Sequence, residues 1–335
     1  MNTPVFIAAG YGEDSIPIDK DEPCKSFVKI HGKPLFGYSL EAALGFTEGE
    51  VYIWGDKDRL EEETRSGTVE IPSDDDLERI VFVEQEENMF DSFLKSFFRY
   101  LADVRGPDDE RMFENFEGDP GNPGQVSGYI RRNPLATMHA AMVLPCDTPL
   151  ITVREIISFY RKALRLWDKA DSFGGMSRKQ DLESFMEHAG VDFTEQDYRN
   201  LNMNFMPMLG GDYRINNMWI MKPMRVLERC PEILELLPEI YAKRYQSKAE
   251  NIKYMISLVR KWQSDRGTDQ AEKESRRKAL IYDMAVWLPP IVSQMLNKWQ
   301  KDSRRTVWYS PRIMDHAFTE DFWPARLVTT RYPSS

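Results

Sequence analysis

The sequence is short of cysteine and histidine, and it has no long apolar run. Its three cysteines, Cys24, Cys146 and Cys230, lie far apart and form no C-x-x-C pair. That excludes a disulfide framework and fits a reducing compartment. The four histidines, His31, His139, His188 and His316, show no metal-ligand spacing and read as structural or exposed. No Ser–His–Asp constellation stands out. The longest apolar stretch, Ala285–Leu296, is interrupted by two prolines, and a bilayer needs about 20 residues. Residues 1–10 lack the basic and apolar regions of a signal peptide. There is no internal repeat and no low-complexity tract. A cytoplasmic protein without stable membrane insertion is expected.

What is present is a large core. The chain has 335 residues, of which 41% are hydrophobic, so disorder as the main state is excluded. Two domains, or one domain with a large elaboration, are expected at this length. The balance of 44 basic and 54 acidic side chains, net −10, argues against a nucleic-acid partner. The charge is uneven. Residues 1–125 hold 29 acidic and 12 basic side chains, and residues 126–335 hold 25 acidic and 32 basic. The basic second part suits a phosphorylated ligand.

Val5–Ala9 is an apolar run that enters Gly10-Tyr11-Gly12, as a buried strand enters a glycine loop. Val51–Trp54, Ile80–Val83, Ala140–Pro145 and Asn217–Met221 read as further strands. Phe36–Phe46 and Val153–Trp167 have helical spacing. Met89–Leu101 carries Phe90, Phe93, Leu94, Phe97, Phe98 and Leu101 three and four residues apart, the stripe of an amphipathic helix. Alternating strands and helices predict an α/β core with mainly parallel strands. Residues 106–133, with G-D-P-G-N-P-G, break the rhythm and read as a long surface insertion. Ile252, Met255, Ile256, Val259 and Trp262 form a helical stripe within 224–303, read as a helical subdomain. The aromatic-rich tail, 304–335, is expected to pack back on the core, which spans 1–223.

Three segments carry chemistry. Ala8-Ala9-Gly10-Tyr11-Gly12 ends the first strand in small residues, so a ligand can approach its N–H groups closely. The third glycine of a dinucleotide fingerprint is absent, and so is a G-K-[ST] phosphate loop. Next, Lys25 in P-C-K-S-F-V-K-I-H-G-K-P-L lies 15 residues beyond Gly10 and offers a point charge for phosphate. Lys25, Lys29 and Lys33 also suit plain surface positions before a helix. Last, Asp147 in L-P-C-D-T-P-L follows an apolar strand, at the end where open α/β sheets bind ligands. It could equally cap the following helix.

In this order the three segments resemble the nucleotidyltransferase family of the GT-A-like fold. Its members include sugar-1-phosphate nucleotidyltransferases, the molybdenum cofactor guanylyltransferase and the cytidylyltransferase of isoprenoid synthesis. The family shows L-A-A-G-x-G, P-K-x-L-x-x-I-x-G-K-P-L and an aspartate in D-x-P-L. The chain reads I-A-A-G-Y-G, P-C-K-S-F-V-K-I-H-G-K-P-L and D-T-P-L-I-T. The resemblance implies a three-layer αβα sandwich with a mainly parallel mixed sheet, here with a C-terminal helical elaboration. It implies a Mg2+-dependent transfer of NMP from an NTP to a phosphorylated small acceptor, releasing pyrophosphate. Ala8, Ala9, Gly10 and Gly12 would cradle the nucleotide. Lys25 would contact the phosphates as the catalytic cation, Asp147 would bind Mg2+, and Asn216, with Asn217 beside it, would supply a second metal ligand. Glu84–Asn88 falls where the family often contacts the base.

The chain also departs from the family. Where the first loop usually carries an Arg after the second glycine, it has Glu13 and Asp14, which repel phosphate; Lys20 is a candidate replacement. Two other readings follow. One is a catalytically degenerate nucleotide-binding or scaffold protein, with Trp262, Trp287 and Trp299 as candidate anchors. The other is a GT-A glycosyltransferase using an NDP-sugar, disfavoured because D-T-P replaces D-x-D. Asp315 and Glu320-Asp321 only faintly resemble the acidic ending of some members. Arg131-Arg132 and Arg178-Lys179 are candidate acceptor contacts or a solvated basic face. The helical part is a candidate surface for homo-oligomer formation.

Overall fold

The computed structural model describes residues 2–10, 22–148, 151–168, 170–188, 190, 206–208, 211–229, 234 and 327–331. In chain order the first elements are β1 (Val5–Ala8), a 3-10 turn (Lys25–Phe27), the hairpin β2 (Lys29–Ile30) and β3 (Lys33–Pro34), and α1 (Leu35–Phe46). Then come β4 (Val51–Gly55), α2 (Lys57–Arg65), α3 (Asp74–Glu78), β5 (Ile80–Glu84), α4 (Met89–Asp103) and α5 (Pro123–Arg132). β6 (Ala141–Pro145), α6 (Val153–Leu164), β7 (Ser172–Arg178), α7 (Lys179–His188), β8 (Met206–Met208), β9 (Gly211–Met221), α8 (Pro223–Arg229) and β10 (Leu327–Arg331) complete the series.

Apart from the β2–β3 hairpin, the described strands form one mixed sheet in the order β10-β7-β9-β6-β1-β4-β5, with β8 paired to β9. β1 is parallel to both β4 and β6, and β4 is parallel to β5. β9 runs antiparallel to β6. The chain divides into two compact units. One comprises Met1–Gly175, Asn217–Pro238 and Val328–Thr330; the other comprises Met176–Asn216, Glu239–Leu327 and Arg331–Ser335. In the second, Met206 pairs with Tyr213 in the β8–β9 ladder. No helix among the described residues is long and apolar enough to cross a membrane.

Strands buried on both faces need no polar alternation, which is why V-F-I-A and V-Y-I-W are apolar throughout. Their side chains still alternate between two layers. Phe6, Tyr52, Trp54 and Val83 share a cluster with Phe93, Leu94, Phe97, Phe98 and Leu101 of α4. Phe6 stacks on Tyr52 at 5.0 Å between centroids and meets Phe93 edge-on at 5.5 Å. Asn88 starts α4 by accepting from the Phe90 and Asp91 N–H groups. On the other face, α1 packs against β1 and β4 and against α6. α6 opens on a Thr152–Glu155 capping box. The result is the expected αβα layering with a mainly parallel sheet. The helical part expected over 224–303 and the tail over 304–335 lie outside the described residues, except for 224–229, Leu234 and β10.

Two segments differ from the sequence-based expectation. The 106–133 insertion is not only a surface excursion. Asn122 accepts from the Gly124 and Gln125 N–H groups, Pro123 sits in the first turn, and α5 buries Val126, Tyr129 and Ile130 in the α4 layer. Phe116 stacks on Phe98 at 4.0 Å. β7 is also a strand that branched-residue patterning does not reveal. A Cβ on Gly174 would stand 2.9 Å from the Trp219 ring, so the glycine makes room for an indole carried by β9.

The Tyr129 ring is fully buried, and its hydroxyl has no hydrogen-bond partner among the described residues. A buried hydroxyl without a partner loses its hydration and gains nothing in return. Tyr129→Phe is therefore expected to stabilise the protein by about 1 kcal/mol. The check is a urea midpoint that moves up with an unchanged slope; a downward shift would show that the hydroxyl is bonded.

Candidate active site

The site grows from the register of three parallel strands. Ala8 stands opposite Trp54 of β4 and Pro145 of β6. One step further, Ala9-Gly10, Gly55-Asp56 and Cys146-Asp147 leave the sheet along the same edge. The Ala9 N–H continues the ladder by donating to the Trp54 carbonyl at 2.9 Å. Gly55 is required there: a Cβ would lie 2.7 Å from the Ala9 carbonyl oxygen, a backbone atom that cannot move aside. Gly10 lies under Gln85, whose Oε1 would be 2.8 Å from an added Cβ. From α1, the buried Ser39 hydroxyl donates to the Pro145 carbonyl at 2.7 Å and fixes the end of β6.

Ser26 joins the Lys25 turn to this edge. Its hydroxyl is fully buried and donates to the Ala9 carbonyl at 2.5 Å. It accepts from the Cys24 and Cys146 thiols, each at 3.6 Å. One donor and two lone pairs are thus all used, and one oxygen ties together the ends of β1 and β6 and the turn. Burial, helped by the nearby Asp147 charge, pushes the Cys146 thiol up to about 12. It stays protonated and packs as a small apolar group.

Among the sequence-predicted residues, Ala8, Ala9, Gly10, Lys25 and Asp147 come to this edge. Lys25 is half-buried, Asp147 is exposed, and neither side chain has a hydrogen bond or ion pair among the described residues. Gly12, Glu13, Asp14 and Lys20 lie outside the described residues. Asn216 falls within β9, in the second compact unit; its side chain, like that of Asn217, lies outside the described residues. Arg132 pairs with Glu114, and Lys179 with Glu183. His139 is a structural group: it hydrogen-bonds Tyr100 at 3.0 Å, and burial holds its pKa below the usual value.

Four residues that matter at this edge carried no sequence signal of their own: Ser26, Gly55, Arg59 and Glu22. Asp56 caps α2 by accepting from the Arg59 N–H at 3.2 Å. The Arg59 guanidinium lies 3.8 Å over the Phe27 ring and grips Glu22 through both terminal nitrogens. The Cys24 N–H donates to the same carboxylate at 3.0 Å. Arg59 holds the Glu22 carboxyl below its usual range.

No protein-family model matches the sequence. No curated protein matches it either. Among solved structures the chain is similar to a hypothetical transferase from Thermus thermophilus, at 13% identity over 76% of this chain and 78% of that one, with a TM-score of 0.44. It is also similar to CMP:2-keto-3-deoxy-manno-octonic acid synthetase complexed with CTP, at 13% identity over 77% of this chain and 84% of that one, with a TM-score of 0.35. At that level the chemistry must be read from the geometry of this chain.

That geometry separates a structural residue from a candidate functional one. Ser26→Ala leaves the Ala9 carbonyl without its buried donor and is expected to cost about 1–3 kcal/mol. Lys25→Met removes a half-exposed charge with no described partner and is expected to change stability by under about 0.5 kcal/mol. Denaturant midpoints of the two variants check this, and an equal loss in both would make Lys25 a structural residue.

Proposed function

We propose that the chain is a Mg2+-dependent nucleotidyltransferase. It transfers NMP from an NTP to a phosphorylated small acceptor, such as a sugar phosphate, and releases pyrophosphate. One observation carries the reading. A glycine-ended strand, a lysine turn locked to that strand through Ser26, and an exposed strand-end carboxylate emerge together from one edge of a parallel sheet.

The donors at this edge suit the metal in one way. Among the described residues, no group of three or more His, Cys, Asp or Glu side chains gathers to hold an ion. Asp147 alone suits a cation that is shared between one carboxylate and substrate phosphates, which is how Mg2+ usually binds. Asp147 is therefore assigned as a ligand. When bound, Mg2+ would neutralise phosphate charge and orient the two substrates.

In the proposed reaction an acceptor phosphate oxygen attacks the α-phosphorus in line. The new O–P bond forms as the bond to the β-phosphate bridging oxygen breaks, and the electron pair leaves with pyrophosphate. The acceptor phosphate is already a nucleophile at neutral pH, so no general base is required. Lys25 and the Gly10 N–H would meet the charge that builds on the α-phosphate. Gly10 is exposed and has no side chain, so the nucleotide can lie against the backbone there.

The test is a thermal-shift panel of ATP, GTP, CTP, UTP and NDP-sugars, with and without Mg2+, on wild type and Asp147→Asn. A ligand at 100 times its Kd stabilises the folded state by about 2.7 kcal/mol. One NTP is expected to raise the wild-type Tm with Mg2+ and to lose that effect in Asp147→Asn. Stabilisation by an NDP-sugar alone would point to the glycosyltransferase. No shift with any nucleotide would leave the scaffold reading.

A further inference from the structure

A nucleoside triphosphate is a polyanion, and the part of the chain that would receive it is acidic: residues 1–125 hold 29 acidic against 12 basic side chains. Outer phosphates brought to this edge must find cations placed for them. Lys25 is one. Arg59 is a second, placed by the Asp56 cap at the start of α2, directly beyond the end of β4. Its stacking on Phe27, two residues from Lys25, fixes the plane of the guanidinium and leaves its nitrogen edge to donate.

Those donors converge on one anion. Both terminal nitrogens of Arg59 and the Cys24 N–H bond the Glu22 carboxylate. Carboxylate and phosphate present the same bidentate acceptor edge to a guanidinium. We propose that Arg59 and the Cys24 N–H form the seat of the outer phosphates of the triphosphate, and that Glu22 fills this seat as an internal stand-in until the triphosphate displaces it. The proposal rests on the nucleotidyltransferase reading for its ligand, but the anion seat itself does not.

Magnitudes favour displacement. The Arg59 side chain is 37% exposed and that of Glu22 18%, so solvent screens the ion pair in part and its worth is on the order of 1 kcal/mol. A phosphate group carries more charge than a carboxylate and makes at least as many charge-assisted hydrogen bonds with the same donors. Exchange therefore costs little and returns more. A purely structural pair makes the opposite prediction for Glu22: its removal should weaken whatever the turn does.

Isothermal titration of the full chain tests this, using ATP, GTP, CTP and UTP with Mg2+, the four monophosphates, and inorganic tripolyphosphate. The proteins are wild type, Arg59→Leu, Arg59→Lys, Glu22→Gln and Glu22→Gln/Arg59→Leu, each first checked for native thermal stability. The triphosphate that binds wild type is expected to bind Arg59→Leu about 10- to 100-fold more weakly, the range of a charged hydrogen bond. Arg59→Lys should fall between, because it keeps the charge and loses the fork. Glu22→Gln should bind up to about fivefold more tightly. Monophosphate affinity should be the same in all of them. Weaker triphosphate binding by Glu22→Gln, or unchanged binding by a natively stable Arg59→Leu, overturns the proposal. If no nucleotide binds wild type, the transferase reading fails by itself, and tripolyphosphate decides the seat. Binding to Glu22→Gln that the double variant lacks upholds the seat, and absence of binding to Glu22→Gln overturns it.

Discussion

Everything at the candidate site depends on β1 having a parallel neighbour on each edge. Parallel pairing sends β4, β1 and β6 out of the sheet in the same direction, so three separate loops begin side by side. A parallel arrangement also demands crossover helices on the faces, and these bury the strands on both sides. The α4 aromatic layer and the α1–α6 layer are therefore conditions for the site as well as its support. They hold the end of β1 so that Gly10, just beyond it, emerges exposed beside the two neighbouring loops.

The second requirement is that a turn far along the chain be held against that strand end. Ser26 does this with one hydroxyl, 17 residues from the carbonyl it serves. Burial makes the arrangement strict, because a hydroxyl with no water nearby must satisfy itself within the protein. Lys25 is next to that anchor and stays half-buried. The chain thus separates fixation from charge: the buried neighbour is locked, and the ammonium is left without a described partner.

Much of this was legible in the sequence, and the reasons differ by element. β1, β4, β5 and β6 could be read because strands buried on both faces become continuous apolar runs. α4 could be read because aromatics three and four residues apart fall on one face of a helix and on both faces of a strand. β7 could not. Its S-F-G-G-M-S-R lacks branched residues, and its glycine is dictated by the Trp219 indole, a partner more than 40 residues away in the sequence. α5 was obscured because Asn122-Pro123-Gly124 has turn composition, although Asn and Pro are also what a helix start uses. At the site, Gly10, Lys25 and Asp147 belong to local motifs and so were visible. The Arg59–Glu22 pair spans 37 residues, and no local pattern records it. Gly55 is hidden in the same way, because its clash is with the backbone of another strand.

The acidity of the first 125 residues takes on a different meaning once Glu22 is placed. Read from the sequence, Glu13 and Asp14 weigh against phosphate binding, since like charges repel. In the folded chain at least one acidic side chain of this region, Glu22, is neutralised by donors suited to an anion of its own shape. In the proposed displacement, a carboxylate held in that way keeps the arginine ordered until a phosphate takes its place. If the proposed seat holds, the excess of negative charge would act as selectivity, disfavouring anions that do not engage the guanidinium fork and the lysine together. On this view acidity near the first loop is compatible with a phosphate site, provided the cations that offset it come from α2 and the Lys25 turn instead of from the loop itself.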